Sequence, residues 1–276
     1  MTRAEIEKLL AANKAIWNKR TEAHLASEFY DLQKFKEGKS SLNPYELELL
    51  GNVKGKSILH LQCHFGQDTL SLARMGADVT GVDFTDTAIA AAKKLNEELG
   101  LDAKFVCCNV YDTRDHISET FDIVFTSYGT IGWLPELKPW AKVISESLKP
   151  GGKFVIVDFH PFVWMLDGKY ESLEHSYFNH DIIVTDTTGS YASQIDLHPP
   201  MKEYGWNHPF TDLLSSLVRE GLILERFNEH DGSPYNCFPG MVLHKDGLFR
   251  FSKWDKKFPM VYGIRFKKPE DENKDQ

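Results

Sequence analysis

Cys63-His64-Phe65-Gly66-Gln67-Asp68 joins an apolar run, Ile58 to Leu61, to a helical stretch beginning at Gln67, and Asp83 closes the next apolar run. In a doubly wound sheet the first strand-to-helix turn offers unpaired amides to an anionic group, and an acidic residue about 20 positions on reaches a ribose diol. The pair points to a nucleoside-bearing cofactor. A dinucleotide site wants G-x-G-x-x-G, so that the backbone can wrap a pyrophosphate, and this joint has the single Gly66. Its polar side chains, Cys63, His64 and Asp68 among them, suit the ammonium and carboxylate of an amino acid, which favours S-adenosylmethionine over NAD. Asn109, after a third apolar run, can give a donor and an acceptor to an adenine edge, with Val110 beside it. Phe84 and Tyr128 flank these positions and join the expected cofactor residues.

Methyl transfer from a sulfonium is an in-line displacement, so the protein must align the acceptor, exclude water and remove a proton where the acceptor carries one. Histidine is the natural proton acceptor near neutral pH. His160 follows the fifth apolar run and is the candidate base. His208 and His230, with Trp133 and Tyr177, are the other candidates for an acceptor pocket, whose aromatic character suits a small planar molecule. For each histidine a hydrogen-bonded structural imidazole is the alternative, and the aromatics could equally form a second core under an insertion. His60 and His64 have zinc-like spacing, but one lies in a strand and the other in a turn, without a third ligand, so no metal is expected. The four cysteines form no C-x-x-C pair and read as buried reduced thiols.

The elements that must position these residues follow a βαβ rhythm. Strands fit 57–61, 78–83, 104–107, 121–126 and 153–157, and helices fit 67–75, 86–99 and 136–148. Gly100 stands where a left-handed helix stop is wanted. Ile6, Leu9, Leu10 and Trp17 make residues 3–17 an amphipathic helix. Lys149-Pro150-Gly151-Gly152 reads as a turn launching a strand. Residues 169–195 read as an antiparallel hairpin turning at Thr188-Gly189, after which a helix at 210–220 and strands near 222–229 and 260–266 restore the sheet. The division expected is a helical cap over 1–50, a cofactor-binding core over 51–160, an antiparallel insertion over the acceptor pocket at 161–209, and the rest of the sheet over 210–276.

A length of 276 residues supports this much core, and a net charge of −8 without clustered Lys and Arg argues against nucleic acid as a partner. With no stretch of 18 apolar residues and an acidic, amphipathic start, the expectation is a cytoplasmic protein that does not bind membranes.

The run "ILHLQCHFGQDTLSLARMGADVTGVDFTDTAIAAAKKL" with "FVCCNVYD" resembles the class I S-adenosylmethionine-dependent methyltransferases, and within them a bacterial group with an L-Q-C-H-x-G-x-D-T first turn. The likeness extends over roughly residues 15–265 through "SEFYDLQKFKEG", "WLPELKPWAKVISESLKPGG" and "WNHPFTDLLSSLVREGL" and is strongest over 56–112. It implies a Rossmann-like, doubly wound α/β fold with a seven-stranded sheet whose last strand is antiparallel. The cofactor would be held by the first turn, Asp83 and the Cys108-Asn109-Val110 loop, with Tyr30 suited to close over it. Gln62 and His64 depart from the class, standing where an acid and a glycine are commoner. The activity implied is methyl transfer to a small molecule, with S-adenosylhomocysteine as product. A non-catalytic nucleoside-binding module and a nicotinamide-dependent oxidoreductase are the competing readings.

Overall fold

Near-continuous apolar runs mark strands covered on both faces, and helices of matching period supply the covers. The computed structural model describes residues 1–178, 181–192, 197 and 199–270. Its elements run α1 (Arg3–Leu25), α2 (Leu32–Lys36), α3 (Pro44–Leu50), β1 (Ser57–Leu61), α4 (Gln67–Arg74), β2 (Asp78–Asp83), α5 (Asp86–Glu98), β3 (Lys104–Cys107), α6 (Thr113–His116), β4 (Phe121–Ser127) and α7 (Leu137–Ser147). They continue through β5 (Leu148–Phe159), β6 (Ile183–Thr187), β7 (Met201–Gly205), α8 (Phe210–Arg219), β8 (Ile223–His230), β9 (Met241–Leu243), β10 (Phe249–Phe251) and β11 (Val261–Lys267).

Seven strands form one sheet in the order β3-β2-β1-β4-β5-β11-β8, with β11 antiparallel to both its neighbours and the other six parallel to one another. The chain winds outward from β1 to β3 and then returns to place β4 on the other side of β1. The carboxyl ends of β1 and β4 therefore flank the switch point, where such sheets leave a crevice. Ile58, Leu59 and Leu61 are fully buried. Trp140 of α7 and Leu213 and Leu217 of α8 cover one face, while Leu49 and Leu50 of α3 and Leu72 of α4 cover the other. Gly100 ends α5 at φ +60°, the left-handed stop its position foretells.

Three expectations are corrected. The N-terminal helix runs to Leu25 rather than residue 17, because its buried face past Ile16 is polar: Arg20, Thr21 and His24. The Lys149-Pro150-Gly151-Gly152 turn lies inside β5, which already pairs at Leu148 and shifts register against β4 between Phe121 and Ile123. The antiparallel pair of the insertion joins Ile183–Thr187 to Met201–Gly205, so Thr188-Gly189 is not the tip of a two-stranded 169–195 hairpin; positions 193–195 of that range lie outside the described residues. Tyr170 instead packs on Phe251 of β10, part of the small β9–β10 ladder.

Candidate functional site

The turn after β1 holds side chains on backbone that ordinarily needs glycine. Gln62 has φ +57°, His64 +50° and Gly66 +81°, and Tyr128, directly after β4, has +37°. Such strain gathers at functional sites, where the surrounding structure enforces it. Gly66 is required for packing: a Cβ there would lie 2.7 Å from Cε1 of Phe105 and 3.1 Å from Cβ of Ala92.

Asp83 sits across this turn. Its Oδ2 accepts from the His64 amide at 2.9 Å, and its Oδ1 accepts from the Thr85 amide and hydroxyl at 2.9 and 2.5 Å. Burial raises its pKa, against the lowering effect of these bonds. Asn109 lies beyond, half-buried, its Oδ1 accepting from the Tyr111 amide; Val110 is buried in the core. Phe84 is half-buried next to Asp83, and Cys63 is a buried thiol whose pKa is pushed up by desolvation.

Helix α1 crosses this crevice and fills it. His24 Nδ1 and His64 Nε2 share a hydrogen bond of 2.9 Å, and His24 Nε2 bonds Ser190 Oγ at 2.6 Å. Burial drives His24 down to about 3 and lowers His64 as well, so both rings are neutral. Around them pack Trp17, Tyr30, Phe65 and Tyr191, with Trp133 edge-on to Trp17 at 5.3 Å. Tyr30 and Tyr191 hydroxyls meet at 2.6 Å. The helix is tied to the insertion: Asn13 exchanges two bonds with the Tyr204 backbone, and Arg20 pairs with Glu203 and reaches Thr187 and Gly189. On the core it rests on α5, through Asn18 to Thr87 and Lys14 to Asp86. With this cover in place Asp83 is 8% exposed.

A second group lies at the carboxyl ends of β1 and β4. Asp68, in the first turn of α4, accepts from Ser41 Oγ at 2.6 Å and Ser127 Oγ at 3.0 Å. Tyr128 donates to Glu46 Oε2 at 2.9 Å, and Glu46 Oε1 takes the Asn43 amide at 2.6 Å. Tyr235 joins Asn43 Nδ2 at 2.8 Å and stands edge-on to Tyr128 at 4.9 Å. Burial, then Asp68, raises the Glu46 pKa to about 7.

The remaining expected residues lie apart from these two groups. His160 bonds Glu229 through Nε2 at 2.9 Å and accepts the Phe162 amide at Nδ1, so neither nitrogen is left to take a substrate proton. Tyr177 packs on Phe162 and accepts the Phe210 amide. His208 meets the Leu134 carbonyl at 2.7 Å, and His230 stacks on Tyr45 at 3.8 Å. His60 and His64 turn to different partners, Thr69 and His24. Of the cysteines, Cys63 and Cys108 are buried and Cys237 half-buried, but Cys107 is exposed, since its strand lies at the sheet edge.

Sequence reasoning passed over His24, Ser41, Asn43 and Glu46, and read Trp17 only as part of a helical stripe. One signal was available: Asn43-Pro44-Tyr45-Glu46 is a capping residue, a first-turn proline and a third-position glutamate, which marks a helix start.

Two buried atoms at the end of β1 test whether a cofactor fits. Gln62 Oε1 and His60 Nε2 have no protein partner among the described residues, while Gln62 Nε2 is fixed on the Thr130 carbonyl at 2.9 Å. His60 is enclosed by Thr69 and Phe125, and other core atoms such as Trp140 Nε1 and Tyr262 Oη are unpartnered too, so the test rests on Gln62 Oε1, an acceptor in the first turn that the ammonium of an amino acid would satisfy.

Residues 58–152 match the methyltransferase domain family. A ubiquinone biosynthesis O-methyltransferase of Idiomarina loihiensis is 29% identical over 133 residues, covering 47% of this chain and 54% of the relative. That of Coxiella burnetii is 32% identical over 116 residues, 41% of this chain and 48% of the relative. The chain thus spans about half the length of the curated relatives it matches. Among solved structures, one titled as an S-adenosylmethionine-dependent methyltransferase from Listeria monocytogenes superimposes with TM-score 0.54 at 18% identity, over 81% of this chain and 95% of that one. The DhpI–SAH complex superimposes with TM-score 0.57 at 15% identity, over 95% and 97%. These likenesses agree on the fold that the strand order describes, and it is residues 58–152, from β1 into β5, that match the methyltransferase domain.

Proposed function

We propose that this chain transfers a methyl group from S-adenosylmethionine to a small-molecule acceptor. The observation that carries the reading is the buried Asp83 carboxylate facing the strained first turn beside the sheet's switch point. Bound S-adenosylmethionine supplies an electrophilic methyl group on a sulfonium centre. Asp83 would hold the ribose diol: its Oδ2 takes one protein bond, and a carboxylate oxygen can accept two. Asn109 Nδ2 would serve the adenine edge, and Gln62, with Asp68 further along the turn, the amino-acid end. Tyr30 and His64 would lie over the cofactor, which requires α1 and the β6–β7 ladder to lift first, parting His24 from His64. The L-Q-C-H-x-G-x-D-T turn is the feature that would set this group apart within the class.

The acceptor would sit beyond β4, where Tyr128, Tyr235 and Trp133 offer aromatic walls. Because the similar curated proteins are O-methyltransferases, a hydroxyl group is the first acceptor class to try. Calorimetry tests the cofactor: S-adenosylhomocysteine should bind and NADH should not. A panel of small phenols, amines and thiols incubated with methyl-labelled S-adenosylmethionine then tests turnover, and label transferred to none of them, with the cofactor bound, would favour a binding module.

A further inference from the structure

We propose that Glu46 is the proton-accepting group of the acceptor chamber, acting through the hydroxyl of Tyr128. The inference rests on the cofactor reading above. Adenosine across β2 and β3 leaves the reacting end over β1 and β4, and Tyr128 is the first residue past β4. Its backbone is held at φ +37°, and its hydroxyl points its proton at Glu46 Oε2, 2.9 Å away. Glu46 is completely buried and, among the described residues, neither it nor Asp68 has a lysine or arginine as hydrogen-bond or ion-pair partner. The charged and titratable groups around Glu46 are Tyr45 beside it on α3, Asp68 from α4, Tyr128 from the end of β4 and Tyr235 from the segment after β8. All are acidic, so the chamber favours a carboxyl that gains a proton, and its pKa of about 7 suits exchange near neutrality.

A proton leaving the acceptor heteroatom is taken by Tyr128 Oη, whose own proton moves to Glu46 Oε2; nothing is oxidised or reduced, and the proton later returns to solvent. Glu46 is thus a positioning residue and proton reservoir, and Tyr128 is the group that meets the acceptor.

The test needs no known acceptor. Sinefungin carries an amine-bearing carbon where S-adenosylhomocysteine has sulfur, so the ratio of their affinities reads the surroundings of the reacting position. In the full chain this ratio should shift about tenfold toward sinefungin between pH 6 and pH 8, as Glu46 ionises beneath a still-protonated amine. Glu46→Gln keeps the helix cap, because glutamine also serves at that position, and should flatten the pH dependence. Tyr128→Phe leaves Glu46 able to ionise but removes a donor to its carboxylate, so it should keep the dependence and move its midpoint to higher pH; a midpoint that stays in place overturns the coupling of the two groups. A flat ratio in the parent, or a Glu46→Gln protein that follows the parent, overturns the proposal. Failure of the parent to bind either compound overturns the cofactor reading, and this inference with it.

Discussion

Gly66→Ala should unfold the protein more readily by about 2–5 kcal/mol. Two terms add. The residue sits at φ +81°, ψ +17°, and a Cβ in the left-handed region costs about 1–2 kcal/mol. The new methyl would also stand 2.7 and 2.9 Å from the Phe105 ring and 3.1 Å from Ala92. That ring has little room to withdraw, since it is packed in one buried cluster with Cys63, Leu70, Ile89 and Leu95 and lies against Gly81, where a Cβ would come within 3.0 Å of it. Forcing a methyl into such packing costs about 1–3 kcal/mol. Gly100 isolates the first term, because it has φ +60° with nothing within 4 Å of an added Cβ. Urea unfolding should find Gly66→Ala the least stable, Gly100→Ala next and the parent the most stable, with Gly100→Ala losing only about 1 kcal/mol. Adding Phe105→Leu should recover about 1 kcal/mol or more as a coupling in a double-mutant cycle. A Gly66→Ala protein no less stable than Gly100→Ala, or strict additivity with Phe105→Leu, would refute the packing argument.

Asp83→Asn should weaken S-adenosylhomocysteine binding about 10–100-fold by calorimetry, the range for a hydrogen bond to a charged group. Burial holds Glu46 at about 7 against an ordinary 4.5, so the native state binds the extra proton and stability falls as pH rises between those values. Relative to Glu46→Gln, the parent should lose about 3 kcal/mol from pH 4.5 to 7 in denaturant titrations and no more above it. His24 and His64 are held neutral, so the unfolded chain binds more protons below pH 6.5 and the seal loses stability as pH falls from there toward 3. Trp17 fluorescence should report the change, and His24→Gln should reduce it. His24→Ala should tighten S-adenosylhomocysteine binding about 3–10-fold by removing one bond that closure makes.

The strands and the helices between them were legible because burial on both faces leaves an apolar run, as at Ile58 to Leu61, and because Gly100 marks a stop. What escaped was whatever is buried with polar identity. The second half of α1 turns Arg20, Thr21 and His24 inward, so hydrophobic periodicity ends eight residues before the helix does. Glu46 looks like any surface glutamate until Tyr128, 82 positions on, comes to meet it. The β6–β7 ladder buries only Thr187 fully, so no alternation told Ile183–Thr187 to choose Met201–Gly205 as partner. Asp83 and the first turn were located correctly in the fold. The other assignments of the turn to ligand contacts stand as proposals, since Gly66, for one, answers to Phe105.

Asn13 and the Tyr204 backbone, 191 positions apart, clasp each other as two neighbouring strands would. A joint that spans so much chain is among the slowest to close, because the loop entropy is lost before the contact rewards it. During synthesis the sheet from β1 to β5 is complete long before residue 204 emerges. If the nucleoside seat is where we propose, a newborn molecule would pass through a stage with its doorway unhung, open to the cofactor, and only the finished protein would have to be opened to be loaded.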